Sequence, residues 1–228
     1  MKVLIFDSST LISLAMNGLF EEIRQLKKIF DGKFLITKEV RNEIIDKPLN
    51  IKRFELEAIK IQELLDDKTL SMPEDIKIDS SEISRKTYEV LELANNCFFS
   101  NGKEIHLIDA GEASCIAISK HLNEKQIENI MCIDERTTRN IIESTDDLKN
   151  FLQKKLHSKI EMKKNALEYF KNMKVIRSAE LVYIAWKKNL IKSKNKKVLD
   201  AMLWAVKFKG CSISEDEIRE IEKVNNLS

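Results

Sequence analysis

Glycine and proline are scarce in this chain, five and two among 228 residues. So few breakers favour long helices and short connections over an all-β fold. No apolar run approaches the ~20 residues that a bilayer span needs. The opening MKVLIFDSS holds an apolar run of only four, too short for a signal-peptide core. It reads instead as the first buried strand of a cytoplasmic protein with no membrane partner. The four cysteines (Cys97, Cys115, Cys132 and Cys211) have neither Cys-x-x-Cys spacing nor a nearby histidine pair, which argues against zinc and disulfides. Cys115 and Cys132 lie in apolar runs and are expected to be buried thiols.

Charge is present in quantity but unevenly placed. The net charge is only +2, yet Lys149–Lys197 carries 15 Lys and Arg against 3 Asp and Glu, leaving 24 basic and 34 acidic residues elsewhere. An acidic body therefore carries a strongly basic segment, with Lys154, Lys155, Lys163 and Lys164 in its first third. Such a segment is either a solvated helical face or a surface that contacts a phosphate backbone, where clustered lysines gain affinity by releasing counterions.

Strand-like and helical patterns alternate along the chain. Lys2–Phe6, Lys33–Ile36, Glu128–Ile133 and Val175–Ile176 read as short apolar strands, with Ile105–Ile108 a weak strand or turn. Helical patterns cover Leu11–Phe30 (broken near Asn17–Gly18), a Thr37-capped stretch to Pro48, Ile51–Asp67, Ser81–Phe99, Gly111–Leu122 and Thr137–Glu143. Asp146–Asn172 reads as one long helix or two shorter ones. Further helices are expected from Ser178, over Lys197–Lys209, and after a capping box at Ser214–Glu217. The alternation predicts an α/β fold with a central parallel sheet covered on both sides. In such sheets ligands bind beyond the carboxyl ends of the strands.

That rule gathers acids that are remote in sequence. Asp7 closes the first strand, Glu43 lies in the helix after the second, Glu112 opens another helix, and Asp134–Glu135 follow a further strand. Carboxylates brought together repel unless a cation lies between them. A hard divalent ion such as Mg²⁺ suits oxygen donors and keeps several waters of its own. Each acid also has an ordinary reading, because a carboxylate in a first helical turn commonly serves the helix dipole or its cap. Glu39 is such a residue. Asp7 is harder to explain that way, since an acid closing a buried strand is costly unless it is used.

The segment Phe6-Asp7-Ser8-Ser9-Thr10-Leu11 resembles the opening of PIN-domain nucleases. Thr37-Lys38-Glu39-Val40-Arg41-Asn42-Glu43 resembles their second motif. Asp109-Ala110-Gly111-Glu112-Ala113-Ser114 is similar to the Gly-Glu-Ala helix start of an archaeal and bacterial branch, and Cys132-Ile133-Asp134-Glu135-Arg136 is similar to that branch's strand followed by two acids and Arg. The stretch from Val175 through Ser178, Tyr183 and Leu190 looks like its last strand and helix. The resemblance covers roughly 2–47, 105–143 and 173–215.

It implies a single three-layer α/β/α PIN-like domain over 1–228, with extra helical insertions at about 51–101 and 146–172. It also implies Mg²⁺ or Mn²⁺ and endoribonuclease activity through metal-activated water. Asp7, Glu43 and Glu112 carry over as acids of the pocket and metal ligands. Asp134 or Glu135 is the fourth acid, with Asp134 nearer the strand end, and Ser9 is a hydroxyl near the metal or phosphate. Arg139, one turn onward, could reach a phosphate, although a surface salt bridge is the ordinary role for such a residue.

The implied partner is RNA, single-stranded in the first instance. A homodimer, an antitoxin or another protein partner stays open, since compact members include toxins of toxin–antitoxin pairs. The alternatives are a non-cleaving PIN-like nucleic-acid-binding module or such a toxin. An aspartate-nucleophile phosphatase would need a second Asp where Ser9 stands. No P-loop is present, and His106, His121 and His157 are too scattered to suggest a triad.

Overall fold

The computed structural model describes residues 1–195 and 197–225, with the side chains of Lys164 and Asn165 outside that description. The chain opens with β1 (Lys2–Phe6), α1 (Ser8–Met16), α2 (Phe20–Ile29), β2 (Gly32–Leu35) and α3 (Lys38–Arg41). The break between α1 and α2 falls at Asn17–Gly18, where Gly18 adopts a φ of +71° that side chains rarely tolerate. Then follow α4 (Glu55–Asp66), α5 (Ser80–Asn95), a hairpin of β3 (Phe98–Ser100) and β4 (Lys103–Glu104), and α6 (Ala110–Glu124). The second half contains β5 (Glu128–Cys132), α7 (Arg136–Glu143), α8 (Thr145–Leu156), β6 (Ile160–Met162), α9 (Lys164–Leu167), β7 (Val175–Ile176), α10 (Ser178–Lys187), α11 (Val198–Phe208) and α12 (Glu215–Val224).

Four strands form the parallel sheet in the order β2-β1-β5-β7. Val3, Leu4, Ile5 and Phe6 are all buried, so both faces of β1 are covered, as the continuous apolar run of a parallel strand requires. α6 lies against β1 and β5 with α5 packed on it, while α10 packs against α1, α2 and α11. The result is the expected α/β fold, a central parallel sheet flanked by helices. From β1 the chain moves outward to β2, then returns past β1 to reach β5. The order therefore reverses between β1 and β5, where doubly wound sheets open a crevice for ligands.

The basic stretch is organised differently from the expectation. It holds two helices rather than one, but with a strand between them: α8 stops at His157, which takes a left-handed φ of +48°, and β6 separates it from the four-residue α9. β6 pairs antiparallel with β3, so the segments expected as insertions at about 51–101 and 146–172 meet in one three-stranded sheet. Two apolar sequence stretches, each too short to signal a strand, become strands by pairing with each other. Ile105–Ile108 forms no regular element, the second hairpin strand lying just before it at Lys103–Glu104. The lysines also disperse, with Lys155 lying over Phe151 and Lys163 over Phe99.

Candidate active site

At the β1–β5 reversal, the Asp7 N–H donates to the Cys132 carbonyl (3.0 Å), fastening the two strand ends together. Asp7 then caps α1. Its Oδ2 accepts from the Ser9 N–H (3.0 Å) and the Ser9 hydroxyl (2.5 Å), whereas its buried Oδ1 has no hydrogen-bond partner among the described residues. Burial pushes the Asp7 carboxyl up to about 6, against the opposing bonds from Ser9 and Ser8, and the charge of Glu43 adds to the rise.

Glu43 arrives from β2. Thr37 caps α3, its hydroxyl accepting from the Val40 N–H (3.3 Å) and sharing a hydrogen bond with Ser114 of α6 (2.6 Å). After one turn the helix widens into a π-helical turn over Asn42–Asp46 that contains Glu43. Such turns are rare and recur at functional sites. The Glu43 Oε1 accepts from the Gly111 N–H (3.1 Å) and Oε2 from the Ser8 hydroxyl. A Cβ on Gly111 would stand 2.6 Å from Glu43 Oε2, so only glycine admits the carboxylate here.

Glu112 stands in the first turn of α6 as the third residue of a capping box, its Oε2 accepting from the Asp109 N–H (3.0 Å). Burial, followed by the charge of Asp7, takes its carboxyl up to about 7. Beneath the three acids lies Cys115, its thiol donating to the Phe6 carbonyl (3.6 Å). Burial and then the charges of Asp7, Glu112 and Glu43 all push that thiol well above its ordinary range.

The other two acids turn away. Asp134 is fully buried, but its Oδ1 accepts from the Ser178 N–H (2.7 Å) and its Oδ2 from the Ser178 hydroxyl (2.6 Å) at the start of α10. Burial raises its pKa while the Ser178 and Cys211 bonds oppose the rise. Its backbone N–H donates to Ser9 Oγ (3.2 Å), so Asp134 reaches the acidic cluster through Ser9. Glu135 caps α7, accepting from the Thr138 N–H (2.7 Å). Glu39 accepts from Ser84 (2.6 Å). Arg139 pairs with Glu143 at 2.9 Å, the ordinary surface role.

All four cysteines are buried and free. Among the described residues, no three Asp, Glu, His or Cys side chains converge tightly enough to hold an ion as they stand. The donor set nonetheless suits a hard cation. It offers oxygen atoms alone, one buried carboxylate oxygen lacks a partner, and two carboxyls are held near neutrality by burial and mutual charge.

Ser8, Gly111 and Ser178 carry structural tasks that sequence reasoning did not assign. Ser178 had the signature of a helix cap, yet the capping position belongs to Arg177, and Ser178 holds Asp134. Ser8 directly follows Asp7 and Gly111 directly precedes Glu112, so adjacency to candidate acids was the available signal. No family model, curated protein or solved structure matches this chain.

Proposed function

We propose that the chain is a metal-dependent endoribonuclease of the PIN-like kind, with Asp7, Glu43 and Glu112 as the acids that hold Mg²⁺ or Mn²⁺. The observation that carries this reading is that Glu43 is bonded to Ser8 and Gly111, the neighbours of Asp7 and Glu112, at the β1–β5 reversal, with Asp7 Oδ1 unpartnered. Burying an unpaired carboxylate oxygen is costly, and Asp7 is fully buried, whereas Glu39 and Glu57, whose Oε2 atoms also lack a partner among the described residues, are only half-buried. The order of motifs in the sequence supports the same reading.

Residues around the cluster hold it ready. Ser9 fixes Asp7 Oδ2 and leaves Oδ1 free, while Ser8 and Gly111 aim the Glu43 carboxylate. Asp134 braces Ser9 through its backbone and ties the cluster to α10 through Ser178. When bound, the ion would supply an ionised water at neutral pH and stabilise charge on a phosphoryl oxygen. A carboxylate beside that water could accept its proton.

The test is cleavage of an end-labelled single-stranded oligoribonucleotide in Mn²⁺ or Mg²⁺. The wild type should cut, EDTA should stop it, and Asp7→Asn should lower the rate by roughly a hundredfold or more, beyond the loss of an outer-shell partner. Metal-dependent cutting by Asp7→Asn at the wild-type rate would refute the site. Binding of RNA without turnover in both metals would support a non-cleaving module instead.

A further inference from the structure

A groove opens on the same sheet edge, one strand away from the acids. It begins between the first turn of α7, Arg177 after β7, and the turn joining α11 to α12, with a volume of about 650 Å³. The Ser212 N–H in that turn donates to the Asp134 carbonyl (3.1 Å), so the groove wall is fastened directly behind the acidic cluster. A second cleft of about 450 Å³ shares Arg136 and Asn140 with the first and runs on to Lys154 of α8. The two clefts therefore adjoin at the shared residues, on one stretch of surface.

The cations along it are unequal. Arg177 is spent on Glu180 (2.6 Å) and Glu217 (2.8 Å), and Arg139 on Glu143. Glu217, held down to about 2 by Arg177 and Ser214 despite burial, is matched by that pairing, and Glu215 lies 3.8 Å from Arg219. Asp147 belongs to the first turn of α8, where the helix dipole favours an acid. Arg136 differs: it is exposed, lies 4.9 Å from the Phe151 ring centre, and has no carboxylate within ion-pair distance among the described residues. Lys207 donates to the neutral Ile213 carbonyl (2.9 Å), lies 5.8 Å from the Trp204 ring centre, and has no ion-pair partner among the described residues. Lys154 likewise has no ion-pair partner among the described residues. At the groove lip, Phe208 is 75% exposed and stacks on Trp204 with ring centres 5.5 Å apart. A phenylalanine this exposed beside such cations matches the two requirements of single-strand binding, a charged track for phosphates and a ring for a base.

We infer that this groove holds a single-stranded polynucleotide, with phosphates on Arg136, Lys207 and Lys154 and a base stacked on Phe208. The inference rests on the proposed hydrolase in one respect, that the strand leads to the three carboxylates. Its test is therefore made without catalysis. Full-length protein in EDTA is titrated into a fluorescein-labelled oligonucleotide of about 12 nucleotides, in ribose and deoxyribose forms, and anisotropy is followed across a salt series.

Arg136→Glu should weaken binding roughly tenfold and flatten the slope of log affinity against log salt by about 0.7 for the phosphate lost. Phe208→Ala should weaken single-strand binding by roughly tenfold with the salt slope kept, and should not affect a duplex of the same sequence. Both side chains are exposed, so neither substitution touches the core. Binding of either sugar form supports the groove, and the tighter one names the natural strand. Wild-type affinity and slope in both variants, or no binding by the wild type at physiological salt, would overturn it. With the divalent ion removed, the binding readout does not depend on cleavage. Weakened binding in the groove variants of a protein that never cuts would therefore keep the groove and remove the hydrolase.

Discussion

Asp7 ends a buried strand with one oxygen saturated by Ser9 and the other facing no partner, and its ionisation is accordingly expensive. Its folded-state pKa of about 6 lies above the ordinary 3.8, so the folded protein holds a proton that the unfolded chain releases. Stability from this group therefore falls as pH rises from about 4 to about 6 and stays low above that. Asp7→Asn can keep the Ser9 bonds while removing the charge. It should be more stable than the wild type by on the order of 2 kcal/mol at pH 8. The difference should vanish near pH 4, as denaturant melts at the two pH values would reveal; equal stability at pH 8 would mean that Asp7 is not strained. Gly111→Ala asks a separate question. The added Cβ must displace the Glu43 carboxylate, the end of a flexible side chain, so stability should shift by less than about 1 kcal/mol while cleavage drops by tenfold or more. Unimpaired cleavage in Gly111→Ala would remove Glu43 from the site.

At the scale of elements, legibility in the sequence followed locality. β1, α1, α6 and the capping box of α12 carry their signals within a few consecutive residues, and they form where the pattern put them. The convergence of Asp7, Glu43 and Glu112 was also readable, because each sits beside a strand end or helix start and the parallel-sheet rule places those on one rim. The π-helical turn at Asn42–Asp46 was not, since it depends on Glu43 finding Ser8 and Gly111, partners from elsewhere in the chain. Nor was the engagement of Asp134 by Ser178, 44 residues away. The β3–β6 pairing likewise exists only through contact between two remote segments. Phe98 on β3 is fully buried and belongs to the same apolar cluster as the parallel sheet. Phe98→Ala should therefore cost about 3–5 kcal/mol and lower one common melting transition seen by circular dichroism and by tryptophan fluorescence. Separate transitions would show that the small sheet folds independently.

Across the whole molecule, opposite charges are arranged side by side at one edge of the sheet: three acids at the β1–β5 reversal, and beyond β5 and β7 two adjoining clefts whose Arg136, Lys207 and Lys154 have no ion-pair partner among the described residues. Among the described residues no helix is long and apolar enough to cross a membrane. The net charge of +2 conceals this separation, which only the fold makes spatial. An acidic cluster repels a phosphate backbone unless a cation intervenes, so the proposed cleavage requires that the cluster take one. The most direct measurement is a Mn²⁺ titration of the apo-protein by electron paramagnetic resonance, at pH 5 and pH 8, for wild type and Asp7→Asn. An ion must displace the protons held by Asp7 and Glu112, whose carboxyls titrate near 6 and 7. Wild-type protein should therefore take up Mn²⁺ much more tightly at pH 8 than at pH 5, and Asp7→Asn should lose most of that uptake. Uptake that is absent at pH 8, or unchanged by Asp7→Asn, would contradict the account.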